Sequence, residues 1–180
     1  MNKLILIRGL PGSGKSTFAK HIAKNELQWA DGHEKMVICE ADGFHMIPDR
    51  GDIKYHFDKT YLTYAHNWCQ SKAAKLLRDG VSAIVSNTSL TLKSLAPYAL
   101  MACDFHVDLE IYRMCDEFKT EHGVPDEVMA NMRLNFIDVR GERMVHFVDS
   151  LAGYYVGVAG GGEMSQQIFD MLQDAENETP

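Results

Sequence analysis

The sequence has no long apolar segment that resembles a membrane anchor. Its N-terminal apolar run, residues 4–7, leads straight into a glycine-rich segment and is far shorter than the roughly 20 residues that a membrane helix needs. The N-terminus also lacks the charged and apolar regions of a secretory signal peptide. We therefore expect a cytoplasmic protein without a membrane partner.

Grouped metal ligands are also missing. The eight histidines show no H-E-x-x-H spacing, and the four cysteines form no C-x-x-C pair. Scattered thiols are typical of reduced cytosolic proteins, and zinc sites need closely spaced ligands. We expect neither a disulfide framework nor a structural metal site. The four cysteines are Cys39, Cys69, Cys103 and Cys115.

An excess of positive charge is absent as well. The chain carries 18 Lys and Arg residues against 25 Asp and Glu residues, which gives a formal net charge of −7. Broad capture of a nucleic-acid backbone requires a concentrated basic surface. The charge therefore argues against general nucleic-acid binding, although a local groove around a single strand end stays open.

The residues that are present alternate between strand-like and helix-like patterns. The 180 residues are 46% apolar and 24% charged, which fits one globular domain over residues 1–180. The alternation predicts a three-layer α/β sandwich with a mainly parallel five-stranded sheet. Predicted strands cover residues 3–8, 36–39, 81–85, 105–112 and 154–158. Predicted helices cover residues 15–24, 58–79, 92–101 (interrupted near Pro97), 114–121, 126–137 and 163–173. Residues 42–57 lack a clear period and are predicted to form a long functional loop, and the tail from about 174 to 180 is predicted to fray.

Residues 9–16 match the phosphate-loop pattern G-x-x-x-x-G-K-[ST] in full, with a predicted strand before and a helix after. Glycines let the backbone wrap around phosphate oxygens, and the helix N-terminus adds positive charge. Lys15 is expected to contact the β- and γ-phosphates of ATP, and the Ser16 hydroxyl to bind Mg²⁺. Thr17 supplies a second hydroxyl, with packing or capping as its alternative role. The predicted nucleotide contacts are Gly9, Pro11, Gly12, Ser13, Gly14, Lys15, Ser16 and Thr17.

Asp42 follows the second predicted strand, where the carboxyl ends of parallel strands open into a crevice. A carboxylate there could accept a proton from an acceptor hydroxyl or hold Mg²⁺ through water. The alternatives are an ordinary turn aspartate beside Gly43, or Glu40 as the functional carboxylate.

Several other polar and aromatic residues are candidates for substrate binding. Tyr55 could stack on a base or pack in the core, and Arg50 could contact a phosphate. His66 begins a predicted helix and is a substrate contact or a packing residue. Asn87 and Thr88 follow the third predicted strand, where polar groups suit phosphate or acceptor contacts.

The order of these motifs resembles the polynucleotide-kinase-like P-loop proteins, relatives of phage polynucleotide kinase and zeta toxin. The resemblance covers about residues 3–137. It implies a P-loop NTPase sandwich of the nucleotide-kinase type with a small helical lid at about 115–137, and it implies that Asp42 is the general base. The segments that carry it are residues 6–17, 40–44, 55–58, 65–69, 86–88 and 122–125.

The chain departs from this family at arginine positions. His45 stands where phage polynucleotide kinase has a substrate-binding arginine, so it takes that place as a candidate substrate contact. Lys119, Asn131 and Asn135 stand where lid arginines are common. Lys119 or Arg133 could cover the transferring phosphate instead, and Arg140 and Arg143 are further candidates. Because an arginine clamp stabilises the developing charge, the departures weaken the expectation of fast transfer but not that of nucleotide binding.

These observations lead to an ATP- and Mg²⁺-dependent kinase that phosphorylates a hydroxyl, with the 5′-hydroxyl of a nucleic-acid end as the first acceptor. A kinase of nucleosides or sugars is the nearest alternative, since one fold carries many substrates. A non-enzymatic ATP-binding switch is the third hypothesis. The sequence leaves the oligomeric state open.

Overall fold

The computed structural model describes residues 2–26, 36–118, 123–148 and 153–158. Within them, none of the helices is both long and apolar enough to cross a bilayer. The strands are β1 (Lys3–Arg8), β2 (Val37–Cys39), β3 (Met46–Asp49), β4 (Asp52–Tyr55), β5 (Ala83–Ser86), β6 (Asp108–Met114), β7 (Arg143–Val148) and β8 (Gly153–Val158). The α-helices are α1 (Lys15–Glu26), α2 (Leu62–Arg78), α3 (Leu92–Phe105) and α4 (Asp126–Leu134).

Six strands form the main sheet in the order β2-β5-β1-β6-β7-β8. The first five are parallel and β8 is antiparallel to β7. Alternate side chains of β1 enter two separate cores: Leu4 and Leu6 pack with residues of α2 and α3, whereas Ile5 and Ile7 pack with residues of α1. Burial on both faces explains why this strand is a continuous apolar run. The predicted three-layer α/β fold is confirmed.

The predicted boundaries around α3 were wrong. The strand predicted at residues 105–112 begins only at Asp108, because α3 runs to Phe105 and His106 ends it in the left-handed conformation (φ 54°). Pro97 does not interrupt α3. Proline removes one helical hydrogen bond, but the buried Leu95, Tyr98, Ala99 and Ala102 hold this helix against the sheet.

Other local predictions also differ from the structure. The fifth parallel strand, β7, was not predicted, so the sheet has six strands rather than five. Residues 115–118 are not helical, because Cys115 N–H donates to Val145 and Phe118 N–H to Gly12 instead. The predicted loop 42–57 contains a 3₁₀ helix, Ala41–His45, and an antiparallel hairpin of β3 and β4. The predicted helix 163–173 and the tail lie outside the described residues.

The hairpin turns at Arg50 and Gly51, which both have positive φ (50° and 95°). This is the geometry of a two-residue type I′ turn, which matches the twist of the flanking strands. In the part of the chain that the structure describes, β3 pairs only with β4, so the hairpin stands apart from the main sheet.

A buried ion pair fixes the end of β1, immediately before the phosphate loop. The Arg8 guanidinium is fully buried and donates to Glu142 Oε2 (3.1 Å) and to the carbonyls of Ile137 (2.8 Å) and Leu90 (3.2 Å). It also lies 4.4 Å above the ring centre of Phe136. Burial lowers the pKa of Arg8, and Glu142 opposes that effect.

Replacing Glu142 with alanine should lower the free energy of unfolding by about 3–5 kcal/mol, because it leaves a buried charge without its partner. Urea unfolding would measure the change. The matched control is Asp138→Ala, which removes a carboxylate that pairs with Arg113 but is 89% exposed; an exposed pair contributes about 1 kcal/mol at most. Equal losses in the two variants would contradict a special role for the buried pair.

Candidate phosphate-binding and transfer site

The phosphate loop has the backbone geometry that its glycines allow. Gly12 and Gly14 adopt positive φ values of 77° and 84°, which side chains disfavour. Gly9 is required for space, because a Cβ built there would lie 2.5 Å from Ser13 Oγ and 3.0 Å from Met114 Cβ. The Phe18 N–H donates to the Gly14 carbonyl (3.0 Å) at the start of α1. The loop therefore leads into a helix N-terminus, an arrangement suited to anions.

Lys15 lies in this loop with its Nζ donating to the Leu10 carbonyl (2.7 Å). Burial lowers its pKa to about 8, and the negative charges of Asp42 and Glu40 partly oppose that effect. The lysine therefore lies in the electrostatic field of both carboxylates predicted from the sequence. A phosphate chain would add further negative charge and favour its protonated form.

This pKa predicts pH-dependent nucleotide binding. Below about pH 8 Lys15 is already charged in the free protein; above it, ATP binding must take up a proton. The affinity for ATP should thus fall by up to about tenfold per pH unit above pH 8. Calorimetry in two buffers of different ionisation enthalpy should detect uptake of about one proton at pH 9 and little at pH 7. Uptake that persists in a Lys15→Met protein would assign the proton to another group.

Ser16 and Asp42 are the residues expected to hold Mg²⁺, and both are exposed. Thr17 is exposed beside Ser16 on the first turn of α1, and Oε1 of Glu40 is buried without a hydrogen-bond partner among the described residues. Within those same residues there is no group of three or more His, Cys, Asp or Glu side chains placed to hold a metal. Mg²⁺ in nucleotide sites takes only one or two protein ligands besides water and phosphates, so these residues fit it.

Asp42 lies in the 3₁₀ helix that follows β2, with its side chain exposed. The Tyr55 hydroxyl donates to its Oδ1 (3.3 Å), and burial together with the Asp42 charge raises the pKa of Tyr55 to about 12. Burial lowers the pKa of His66, and Asp42 opposes that effect. Tyr55 and His66 therefore both lie near this carboxylate.

Asn87 and Thr88 link the two halves of the site through hydrogen bonds. The buried Asn87 side-chain oxygen accepts from the Ala41 N–H (2.9 Å), next to Asp42. The backbone N–H of Asn87 donates to the Ile7 carbonyl (3.2 Å). The Thr88 carbonyl accepts from the Gly9 N–H (3.2 Å). These bonds tie the phosphate loop and the Asp42 segment to the end of β5.

Two other predicted substrate residues, His45 and Arg50, lie away from the exposed aromatic side chains next to Asp42. His45 is buried, with its ring against Phe44, Tyr55 and Phe57. It therefore lies beneath these exposed rings and supports them. Arg50 is exposed at the tip of the hairpin, four residues beyond the pairing of Met46 with Tyr55.

The cationic residues that could cover the transferring phosphate are partly engaged in ion pairs. Arg133 of α4 makes a bidentate contact with Glu117 (Nε–Oε1 3.1 Å, Nη2–Oε2 2.6 Å). Arg143 donates to Glu110 (3.0 Å) and to the Tyr112 hydroxyl (2.6 Å). Arg140 is exposed in the turn before β7, and Lys119 lies outside the described residues. Arg133 and Arg113 both line a cavity of about 280 Å³ beside the phosphate-loop residues Leu10 and Ser13.

An exposed aromatic surface adjoins Asp42, and sequence reasoning found only part of it. Phe44 and Trp68 meet edge to face at 6.3 Å, and a Cβ built on Gly43, next to Asp42, would lie 3.3 Å from the Trp68 ring. The sequence assigns Trp68 to helix packing, and only the tertiary fold brings it beside the Asp42 segment. The exposed rings of this aromatic surface are Phe44, Tyr55, Phe57 and Trp68. Tyr61 and Tyr64 form another exposed pair, tilted with ring centres 6.2 Å apart.

Phe118 is a second neighbour of the phosphate loop that sequence reasoning missed. Its N–H donates to the Gly12 carbonyl (2.8 Å), and its ring lies near Gly14. The signal that could have found it is its place just after a parallel strand, at the edge of the sheet where ligands bind.

Two curated relatives cover most of this chain. An uncharacterized protein of Pasteurella multocida is 27% identical over 146 residues, which are 77% of this chain and 78% of the relative. Human NEDD4-binding protein 2 is 32% identical over 140 residues, which are 72% of this chain but 7% of that protein. The chain thus spans most of the bacterial relative and a small part of the human one.

Two solved structures share the fold over nearly the whole chain. Kti12 of Chaetomium thermophilum, in complex with ADP-AlF3, superposes with a TM-score of 0.61, 12% identity and coverage of 96% of this chain and 98% of its own. A chain of the PezAT toxin–antitoxin system of Streptococcus pneumoniae gives a TM-score of 0.57, 14% identity and coverage of 99% and 87%. At such low identity these similarities concern the fold alone.

The family comparison covers the phosphate loop, Asp42 and the sheet through β6. A model described as AAA domain matches residues 4–124, about two thirds of the chain. Together with the phosphate-loop geometry and the order of the parallel strands, this match confirms the resemblance to P-loop kinase-like proteins that the sequence motifs suggested. The chain belongs to the AAA domain family, and its fold is that of a P-loop kinase-like domain.

Proposed function

We propose that this protein is an ATP-dependent kinase that transfers the γ-phosphate to a hydroxyl, with the 5′-hydroxyl of a nucleic-acid end as acceptor. The observation that carries the proposal is that Asn87 and Thr88 tie the segment of the exposed Asp42 and the phosphate loop to the same end of β5. The Asp42 carboxylate lies within the electrostatic field of Lys15. A phosphate chain on the loop and a hydroxyl near Asp42 would then meet between these two residues.

In this mechanism the loop amides and Lys15 bind the β- and γ-phosphates. Asp42 accepts the proton of the acceptor hydroxyl as its oxygen attacks phosphorus, and the Tyr55 hydroxyl holds the carboxylate in place. ADP leaves as the bond between the γ-phosphorus and the bridging oxygen breaks. Ser16, and Asp42 through water, would hold Mg²⁺, which would neutralise phosphate charge when bound.

The aromatic surface supports a base-bearing acceptor. Proteins that bind single strands stack bases on exposed rings, and sugars lack such bases. The aromatic surface holds four exposed rings, of which Tyr55 bonds directly to Asp42. The net charge of −7 favours contacts to a few nucleotides at a strand end over binding along a long backbone.

Phosphate transfer from γ-labelled ATP with Mg²⁺ tests the proposal. The acceptors are 5′-hydroxyl DNA and RNA oligonucleotides beside a panel of nucleosides and sugars. We expect label on the oligonucleotide in the wild-type protein and none with Lys15→Ala. Label on a nucleoside or sugar alone would replace the nucleic-acid acceptor with a small molecule.

A second candidate is a non-enzymatic ATP-binding switch. It is favoured by the bidentate pairing of Arg133 with Glu117, because Arg133 is the single arginine in the sequence of the lid, residues 115–137. This function predicts tight ATP binding, no transfer to any acceptor, and a protein partner whose affinity differs between the empty and ATP-bound forms.

A further inference from the structure

The phosphate loop has two flanks, and the proposed function uses only one of them. In the sheet order β2-β5-β1-β6, Asp42 follows β2 on one side of β1, and Phe118 follows β6 on the other. Phe118 itself has received no role in transfer.

Phe118 is attached closely to the loop. Its N–H donates to the Gly12 carbonyl (2.8 Å), and a Cβ built on Gly14 would lie 3.4 Å from its Cε2. The side chain is nevertheless 49% exposed, which leaves much of its ring surface in contact with solvent.

Neighbouring residues hold this ring in place. Phe147 of β7 meets Phe118 edge to face, with ring centres 6.2 Å apart. The Phe147 N–H donates to Asp116 Oδ2, and the His146 ring bonds to Asp116 Oδ1 (3.2 Å). The segment 114–118 is thus fixed between β7 and the phosphate loop, and the ring surface is in place before a ligand arrives.

The direction of the bound nucleotide follows from the chemistry of transfer. The attacking and leaving oxygens of a phosphoryl transfer lie roughly in line with phosphorus. If the hydroxyl approaches from the Asp42 side, the leaving ADP must extend towards the opposite flank. That flank is formed by Gly12, Gly14 and Phe118.

We propose that Phe118 is the stacking platform for the base of the bound nucleoside triphosphate. An aromatic ring offers its face to any base, so Phe118 contributes to the affinity for ATP without selecting adenine by hydrogen bonds. This inference rests on the proposed use of a nucleoside triphosphate, and it adds the subsite that binds the nucleoside.

Calorimetric titration with ATP and with inorganic tripolyphosphate tests the assignment in the full chain. Tripolyphosphate contacts the loop but has no base. Phe118→Ala should weaken ATP binding about ten- to a hundredfold, the range expected for one lost base–ring stack, and should leave tripolyphosphate binding within about twofold. Phe118→Trp should restore ATP binding, because it keeps a stacking ring.

The control is Leu100→Ala, which truncates an exposed apolar side chain on α3 and should change neither ligand. Equal weakening of ATP and tripolyphosphate in Phe118→Ala would overturn the stacking role and assign the ring to support of the loop. Unchanged ATP binding would overturn it as well. Failure of the wild-type protein to bind ATP would instead remove the proposed function itself.

Discussion

Replacing Lys15 with alanine should reduce phosphate transfer by about 10³-fold or more. Cations on the transferring phosphate contribute roughly 10³–10⁵ in rate in enzymes of this reaction class. Lys15 is suited to that role because it lies within the loop, beside two carboxylates that help to keep it charged. Rates from γ-labelled ATP at saturating acceptor measure the effect, and calorimetry reports the accompanying loss of ATP affinity.

Lys20→Ala is the matched control, because this lysine lies on the same helix with its side chain exposed. It should retain full transfer and the same thermal stability as the wild-type protein. If Lys15→Ala kept more than a tenth of the wild-type rate, the loop would bind nucleotide without using its lysine in transfer.

Replacing Asp42 with asparagine should lower the transfer rate by about 10²–10⁴-fold, the usual contribution of a general base. The amide keeps the size of the side chain and can still accept the Tyr55 hydrogen bond, but it cannot take up the acceptor proton. The affinity for ATP should change much less than the rate, because the loop and Lys15 bind the phosphates. Steady-state kinetics across a range of ATP and acceptor concentrations would separate the two effects.

Asp104→Asn is the control for this variant, since it removes an exposed carboxylate on α3. It should be indistinguishable from the wild-type protein in rate. An Asp42→Asn protein with normal rate would shift the proton-accepting role to Glu40, whose buried Oε1 has no hydrogen-bond partner in the described part of the chain.

The parallel core could be predicted because local pattern and tertiary burial agree there. β1 is apolar on both faces, and α1 follows the phosphate loop directly, so the local sequence alone is enough to predict both elements. β7 was missed because Arg143 and His146 interrupt its apolar residues, and its position depends on pairing with β6. The end of α3 was missed because a histidine, rather than the usual glycine, adopts the left-handed conformation at the end of the helix.

The candidate site shows the same division. Lys15 and Ser16 follow from a contiguous motif, in which spacing alone dictates geometry. Trp68 is brought to the site by helix packing, so no local pattern indicates it. Phe118 is indicated only by its place just after a parallel strand, and its contact with the phosphate loop depends on strand order. His45 illustrates the opposite case: its place in a motif predicts a substrate contact, whereas the surrounding rings bury it.

The tip of the β3–β4 hairpin can change independently of the phosphate loop. Among the described residues the two strands pair with each other and not with the main sheet, and the tip at Arg50 and Gly51 is exposed. Exposed turns of this kind tolerate insertion and replacement. Lengthening or exchanging the tip would therefore leave both the phosphate loop and the hydrogen bond between Tyr55 and Asp42 intact, so the proposed acceptor side could diverge between relatives, or be re-engineered, without rebuilding the phosphate loop.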